Sequence, residues 1–193
     1  EELCQKDVER ISSHELAELI GVTASQIRQD LNCFGGFGQQ GYGYNVKNLY
    51  EQIGIILGVP NQKPAILIGA GNLGLALANH MHFEDRGFRL IGIFDSDNRK
   101  IGIQVGDTAV QDVSRLKMFC QQHKPEVAIL CVPEEGVAEL SQDLVDLGIN
   151  GFWNFSHYDM SLDFDPEKVI VENVHLADSL MTLSFQVEEL GDD

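Results

Sequence analysis

The predicted fold depends on residues 65–74, Ala65-Ile-Leu-Ile-Gly-Ala-Gly-Asn-Leu-Gly74. The first four residues are apolar and predict a buried strand, and the pattern GxGxxG follows without a gap. Helical spacing comes next, and then a second apolar run, Leu90–Phe94, which leads into Asp95, 21 residues after Gly74. The glycine pattern alone is a weak signal. A strand before it, a helix after it and an acid at this distance are together typical of a dinucleotide-binding unit.

The glycines and the acid have separate predicted roles. Gly69 permits a tight turn, Gly71 lets the backbone approach a pyrophosphate, and Gly74 lets the helix pack on the strand. The free N–H groups of the first helical turn attract the phosphates. Asp95 is expected to bond the adenosine ribose and to favour NAD over NADP, because its charge repels a 2′-phosphate.

Arg99 and Lys100 lie close to Asp95 and soften that preference. Further on, short apolar runs alternate with amphipathic segments, which predicts βαβ units and an α/β, Rossmann-like doubly wound parallel sheet. A domain of this fold that has lost its ligand is the alternative. Val127–Val132 is predicted to be another buried strand with Pro133 at its carboxyl end, followed by a helix around 137–147.

Ligands bind at the carboxyl ends of such strands. Asn154 and Ser156 are expected at one of these ends, where Asn154 either contacts ribose or nicotinamide or makes a loop hydrogen bond. The predicted cofactors are NADH and NAD+. The predicted cofactor-binding residues are Gly69, Ala70, Gly71, Asn72, Leu73, Gly74, Asp95, Lys100, Val132, Pro133, Asn154 and Ser156.

Before residue 60 the apolar residues recur at helical spacing, and two capping boxes follow one another. Ser12 and Glu15 begin a first helix that ends at Gly21, and Thr23 and Gln26 begin a second. Two short helices joined in this way are typical of a helix-turn-helix. The alternative is a helical hairpin used only for packing or dimerisation.

Five glycines among residues 35–44, interleaved with aromatic residues, predict a tight β-hairpin that forms the wing of a winged helix-turn-helix. The wing and the outward face of the second helix offer side chains able to hydrogen-bond bases or phosphates. The residues predicted to contact double-stranded DNA are Ser25, Gln26, Arg28, Gln29, Asn32, Phe37, Gln39, Gln40 and Tyr42.

The chain closes with an apolar run at 169–171 and a helix that carries a narrow apolar seam. The seam consists of Leu176, Leu180, Leu183, Val187 and Leu190. A seam of this kind suits packing on a partner subunit, and packing on its own domain is the alternative. We therefore predict a winged-helix domain at 1–60, a Rossmann domain at 61–174 and a dimerisation helix at 175–193.

Composition indicates the class of protein. The 193 residues are 44% hydrophobic and 22% charged, as in a folded globular protein. No apolar run approaches the about 20 residues of a membrane helix, and the first residues have no features of a signal peptide. Four scattered cysteines favour reduced thiols in the cytoplasm and argue against a zinc site. The missing initiator methionine is expected to mean that the chain begins within a longer protein.

Charge argues against DNA binding. The net charge is −17, and residues 1–60 contain four basic and eight acidic side chains. A nucleic-acid-binding domain usually has a basic face, so charge alone predicts weak, strongly salt-sensitive DNA binding or none.

Several segments, in order and with compatible spacing, resemble the Rex family of redox-sensing repressors. They are Gln26–Leu31, Phe34–Gly38, Gly41–Asn45, Gly69–Gly74, Asn154-Phe155, Glu172–Val174 and Thr182–Phe185. The resemblance implies a homodimer that binds palindromic operator DNA, senses the NADH/NAD+ ratio and swaps its C-terminal helix onto the partner's Rossmann domain. Gln29, Gln39 and Gln40 stand where the family often has basic residues. His80 and His175 stand near positions that the family uses for the subunit contact and the nicotinamide.

Two other functions stay open. An NAD-dependent dehydrogenase would need a substrate domain with a base and a carboxylate-binding arginine. The remaining length leaves no room for such a domain, so we expect no catalytic residues and no metal. An NAD- or CoA-binding subunit could instead dock a protein partner through its N-terminal helices, and the acidic composition of that region favours this alternative.

Overall fold

The structure is a computed structural model that describes residues 2–33, 35, 38, 39 and 42–191. The chain divides into two compact units between Asn61 and Gln62. No helix in the described part of the chain is long and apolar enough to cross a bilayer.

The first unit is a helical domain with a small antiparallel sheet. Its elements are α1 (Glu2–Gln5), β1 (Arg10–Ile11), α2 (Ser13–Ile20), α3 (Ala24–Cys33), β2 (Gly38–Gln39), β3 (Gly43–Asn45) and α4 (Val46–Ile56). The strands have the order β1-β3-β2. Helices α2 and α3 form the predicted helix-turn-helix, and the antiparallel pair of β2 and β3 forms the predicted wing. The winged helix-turn-helix fold is confirmed.

The two predicted capping boxes fix where α2 and α3 begin. The Glu15 N–H donates to Ser12 Oγ at 3.2 Å, and the Ser12 N–H donates to the Glu15 carboxylate at 2.8 Å. Thr23 and Gln26 exchange the equivalent bonds at 3.1 and 3.2 Å. Gly21 ends α2 at a φ of 72°, a left-handed conformation that glycine adopts without strain.

The second unit is the predicted doubly wound sheet. Its strands are β4 (Lys63–Ile68), β5 (Phe88–Asp95), β6 (Gln104–Val105), β7 (Thr108–Asp112), β8 (Val127–Leu130), β9 (Gly151–Asn154) and β10 (Ile170–Asn173). Its helices are α5 (Asn72–His80), α6 (Leu116–His123), α7 (Glu134–Asp146) and α8 (Leu176–Gly191). The strand order is β10-β9-β8-β4-β5-β7-β6. Neighbouring strands are parallel except for the antiparallel edge pair of β6 and β7.

Alternate residues of the central strands point to opposite faces of this sheet. Ile66 and Ile68 of β4 pack in a cluster that also contains apolar residues of α6 and α7. Ala65 and Leu67 pack in a second cluster that includes side chains of α5. Because helices cover both faces, a central strand is apolar throughout, which is why the run 65–68 has no polar residue.

The structure corrects three predicted boundaries. Strand β8 ends at Leu130 and not at 132, and α7 begins at Glu134, three residues before the predicted start. Strand β10 extends to Asn173 because it pairs along β9 as far as Asn154.

The C-terminal helix α8 is exposed on every side. The predicted seam residues are 55–81% exposed, and no described side chain of the helix is buried. The alternative in which the seam packs on its own domain is therefore wrong.

Candidate cofactor site and nucleic-acid interface

Parallel strands place the predicted cofactor residues along one edge of the sheet. Strand β4 leads into Gly69–Gly74, β5 ends at Asp95, β8 leads towards Val132 and Pro133, and β9 ends at Asn154. The strand order reverses between β4 and β8. Doubly wound sheets bind their ligands in the crevice at such a reversal.

The three glycines of the loop have different surroundings. Gly69 has a φ of 101°, and a Cβ added there would collide with the Cys131 carbonyl oxygen. A Cβ at Gly74 would collide with the Gly69 carbonyl oxygen. A Cβ at Gly71 would meet no described atom within 4 Å. The fold therefore requires the outer two glycines, whereas open space lies beside the middle one.

Helix α5 begins directly after this open space, with Gly71 at its N-cap position. The first N–H groups of an α-helix have no acceptor within the helix, and the helix dipole makes that end positive. The start of α5, including Asn72 and Leu73, is thus suited to bind a phosphate. Ala70 is different, because its N–H donates to Asp95 Oδ2 at 2.7 Å.

Asp95 is buried, with 7% of its surface exposed. Its carboxylate accepts hydrogen bonds from the Ala70 N–H at 2.7 Å, the Asp97 N–H at 2.8 Å and Lys100 Nζ at 3.0 Å. Burial raises the pKa of Asp95, but the bonds from Asp97, Lys100 and Ala70 outweigh burial and hold the pKa below its ordinary value. Asp95 is therefore a carboxylate at neutral pH, and it ties the glycine loop to the end of β5.

Asn154 and Ser156 form a buried network of their own. The Asn154 side-chain amide donates to the Tyr158 carbonyl at 2.6 Å and to Asn173 Oδ1 at 2.9 Å. Asn154 Oδ1 accepts the Ser156 N–H at 3.1 Å and the Ser156 hydroxyl at 2.9 Å. Of the two roles predicted for Asn154, the structure favours the loop hydrogen bond. Asn154 thus links the end of β9 to Asn173 at the end of β10, and the Ser156 hydroxyl holds the Asn154 side chain in place.

The polar face of α3 lies on the surface of the first unit. Ser25, Gln26, Arg28, Gln29 and Asn32 are all exposed. Gln26 is engaged in its capping box, and Arg28 Nη1 donates to Ser13 Oγ at 3.0 Å, which ties α3 to α2. The side chains of the other three form no hydrogen bond within the described part of the chain. They are free to contact a base edge.

The wing is attached to β1 through Arg10. Arg10 Nη1 donates to the Tyr42 carbonyl at 3.2 Å, and its guanidinium carbon lies 6.0 Å from the centre of the Tyr42 ring. The Tyr42 side chain is 69% exposed. Gln39 lies on β2, whereas Phe37 and Gln40 lie outside the described residues.

Both units match known families. Residues 1–32 match the family described as putative DNA-binding protein N-terminus, and residues 60–158 match the CoA binding domain family. The redox-sensing transcriptional repressor Rex of Clostridium perfringens is 52% identical over 96% of this chain and 86% of that protein. The Rex protein of Clostridium acetobutylicum is 50% identical over 99% of this chain and 88% of that protein. The chain belongs to the Rex family of redox-sensing transcriptional repressors.

Solved structures of a Rex-family repressor, RSP, have the same fold. RSP in complex with beta-NAD+ and operator DNA has a TM-score of 0.87 and 50% identity, covering 98% of this chain and 86% of that chain. RSP in complex with beta-NADH also has a TM-score of 0.87, with 47% identity over 98% and 87% of the two chains.

Sequence reasoning missed several contacts in or near the two candidate sites. Arg10 and Ser13 fall outside the predicted DNA-contacting set, because each acts on a residue distant in the sequence. His175 stacks on His157, with ring centres 6.1 Å apart. His80 is the last residue of α5. No spacing or periodicity in the sequence relates His157 to His175, since β10 and its preceding loop bring them together.

Proposed function

We propose that this chain is a redox-sensing repressor that binds operator DNA as a homodimer and is released by NADH when the NADH/NAD+ ratio rises. One observation carries the proposal. A winged helix-turn-helix and a dinucleotide crevice occur in one chain, and a Rex-family repressor with 50% identity over 98% of it has been solved with NAD+ and operator DNA. The relatives are transcriptional repressors, so we assign no catalytic residue and place the chain in the cytoplasm.

The pyrophosphate of the dinucleotide binds at the start of α5, beside Gly71. The N–H groups of Asn72 and Leu73 donate to the phosphates, because no acceptor within the helix competes for them. Asp95 accepts a hydrogen bond from a hydroxyl group of the adenosine ribose, using the lone pair that its three internal hydrogen bonds leave free. Val132 and Pro133 line the crevice on the β8 side, and Asn154 with Ser156 holds the neighbouring loop in place.

On the first unit, the polar face of α3 lies in the major groove and the wing lies beside it. Ser25, Gln29 and Asn32 contact base edges. Arg28 reaches a phosphate once it releases Ser13, and the wing with Gln39 and Tyr42 contacts the backbone. Glutamine and asparagine side chains bond adenine well, so we expect preference for A·T base pairs under α3.

The homodimer forms through α8. Its five seam residues are more than half exposed in one copy, and a soluble chain rarely leaves so large an apolar surface uncovered. In the swapped arrangement, 175–193 acts as a separate segment that packs on the partner. NADH and NAD+ then favour different dimer arrangements. If NADH lowers the affinity for DNA by a given factor, thermodynamic linkage requires DNA to lower the affinity for NADH by the same factor.

The test is a fluorescence anisotropy titration of a palindromic Rex-type operator duplex at fixed salt. NADH, NAD+ and NADPH are added separately, and a scrambled duplex is the control. We expect the operator alone to bind, and NADH alone to release it. If no duplex binds under any condition while NADH still binds, the helical unit docks a protein partner instead of DNA.

A further inference from the structure

Two cations follow Asp95 at the end of β5, and carboxylates hold both. Lys100 Nζ lies 3.0 Å from Asp95 Oδ2. Arg99 forms a two-pronged ion pair with Asp97, with Nη2 2.7 Å from Oδ2 and Nε 3.0 Å from Oδ1. The segment therefore contains two acids and two bases in two pairs, and neither base is left without an acidic partner.

Backbone bonds tie the outer pair to the ribose-binding acid. The Asp97 N–H donates to Asp95 Oδ1 at 2.8 Å, and the Arg99 N–H donates to Asp97 Oδ1 at 3.0 Å. The bonds from Arg99 lower the pKa of Asp97 to about 2, so this carboxylate is ionised at every physiological pH. Arg99 is thus linked to Asp95 through Asp97, because the Asp97 carboxylate accepts from both the backbone N–H and the guanidinium of Arg99.

A phosphorylated ribose needs such an arginine. In doubly wound sheets, an arginine close to the ribose-binding acid accommodates the 2′-phosphate of NADP, and it does so through paired N–H groups. Arg99 stands at a suitable place in the sequence, yet its Nε and Nη2 already donate to Asp97. A 2′-phosphate would have to displace that carboxylate and would also be repelled by it.

We propose that Asp97 is a specificity-determining residue that acts through Arg99, withholding its guanidinium from a 2′-phosphate so that the site rejects NADPH. This inference rests on the proposed cofactor site. The sequence suggests that Arg99 and Lys100 weaken the preference for NAD over NADP. The proposal reverses that expectation, because both cations are already paired with carboxylates. Asp95 repels the 2′-phosphate directly, and Asp97 removes the cation that would compensate.

The pair is accessible to a competing ligand, and this limits the effect. The Arg99 side chain is 89% exposed and that of Asp97 is 26% exposed. Exposed ion pairs are weak, so freeing Arg99 is expected to raise NADPH affinity by about three- to tenfold and no more.

The experiment compares the unaltered 193-residue chain with Asp97→Asn, Arg99→Gln, the double variant and Asp97→Glu. Fluorescence titration gives the dissociation constants of NADH and NADPH, and thermal unfolding checks that each variant folds. Asp97→Asn tightens NADPH binding about three- to tenfold and changes NADH binding less than about twofold. Asp97→Glu keeps the carboxylate and the rejection of NADPH, and the double variant loses the gain.

Two results overturn the inference while leaving the cofactor site intact. One is unchanged NADPH affinity in Asp97→Asn. The other is an equal gain in the double variant, which would mean that loss of negative charge is enough without Arg99. If the unaltered chain binds neither dinucleotide, the proposed function is wrong and the inference is wrong with it.

Discussion

Replacing Gly71 by alanine separates cofactor binding from folding. Gly71 has φ −77° and ψ −171°, an extended conformation open to any residue, and an added Cβ meets no described atom within 4 Å. The free energy of unfolding is therefore expected to change by no more than about 0.5 kcal/mol. The new methyl group occupies the space that we assign to the pyrophosphate. NADH affinity is expected to fall at least about tenfold, roughly 1.4 kcal/mol of binding free energy.

Gly74→Ala is the matched variant with the opposite outcome. Its Cβ would collide with the Gly69 carbonyl oxygen and would lie 3.1 Å from Leu67 Cδ2. A backbone oxygen does not rotate away as a side chain does, so overpacking is expected to cost about 1–3 kcal/mol of stability. Circular dichroism during heating measures stability, and NADH fluorescence measures binding. A Gly71→Ala chain that binds NADH as tightly as its parent, or that fails to fold, would refute the reasoning.

Three further outcomes are expected. Leu183→Asp places a charge in the α8 seam, so light scattering should show monomers and anisotropy should show weaker operator binding; an intact dimer would contradict the assignment of α8. Because the pKa of Asp95 is lower in the folded chain, its ionised form stabilises the fold above its unfolded pKa of about 3.9. The difference in free energy of unfolding between the parent chain and Asp95→Asn should be constant above about pH 5 and should shrink as the pH falls through the pKa of Asp95 in the folded chain. Urea unfolding at several pH values measures this difference, and a difference that does not change with pH would count against the prediction. Burial raises the pKa of Cys120 to about 11 and that of the partly exposed Cys131 to about 12. At pH 8 a thiol reagent should therefore modify the exposed Cys33 first, Cys131 more slowly, and the buried Cys120 only on unfolding; rapid modification of Cys120 in the folded chain would disprove its burial.

The sequence predicted the fold because its constraints are local. A turn with positive φ and a close approach of helix to strand each require glycine, so Gly69 and Gly74 indicate the backbone path by themselves. Capping boxes span four residues, which is why the starts of α2 and α3 were also predictable. The continuous apolar run of β4 predicted burial on both faces.

The functions of single side chains were harder to predict, because their partners come from other elements. The residues around Asn154 allowed two roles, and the bonds to Asn173 on β10 and to Tyr158 favour the loop hydrogen bond. Ala70 was predicted to bind the cofactor, yet its N–H is occupied by Asp95 from the neighbouring strand. Arg99 lies close to Asp95 in the sequence, yet its guanidinium is already bonded to Asp97 and is not available to a phosphate.

On the proposed function, the acidic composition of the first unit determines how operator affinity arises. Residues 1–60 contain only four basic side chains. Lys6 lies 3.8 Å from Glu2, Arg10 is engaged by the wing, and Arg28 is engaged by Ser13. One copy neutralises few phosphates and releases few counterions, so its binding to a half-site is weak.

Two copies on one duplex make the second contact intramolecular, which multiplies the affinity without any new charge. Operator binding then depends on the dimer more steeply than half-site binding does, so burial of the α8 seam and occupation of the operator are coupled. On this proposal the half-sites lie about one helical turn of DNA apart, as is typical of helix-turn-helix dimers, so a shift of a few ångströms between the copies is expected to remove one of the two contacts. Weak half-site binding therefore makes it possible for a small ligand to release the dimer from DNA. In the proposed mechanism NADH has to alter only the arrangement of the two copies and not the DNA-contacting surface of α3.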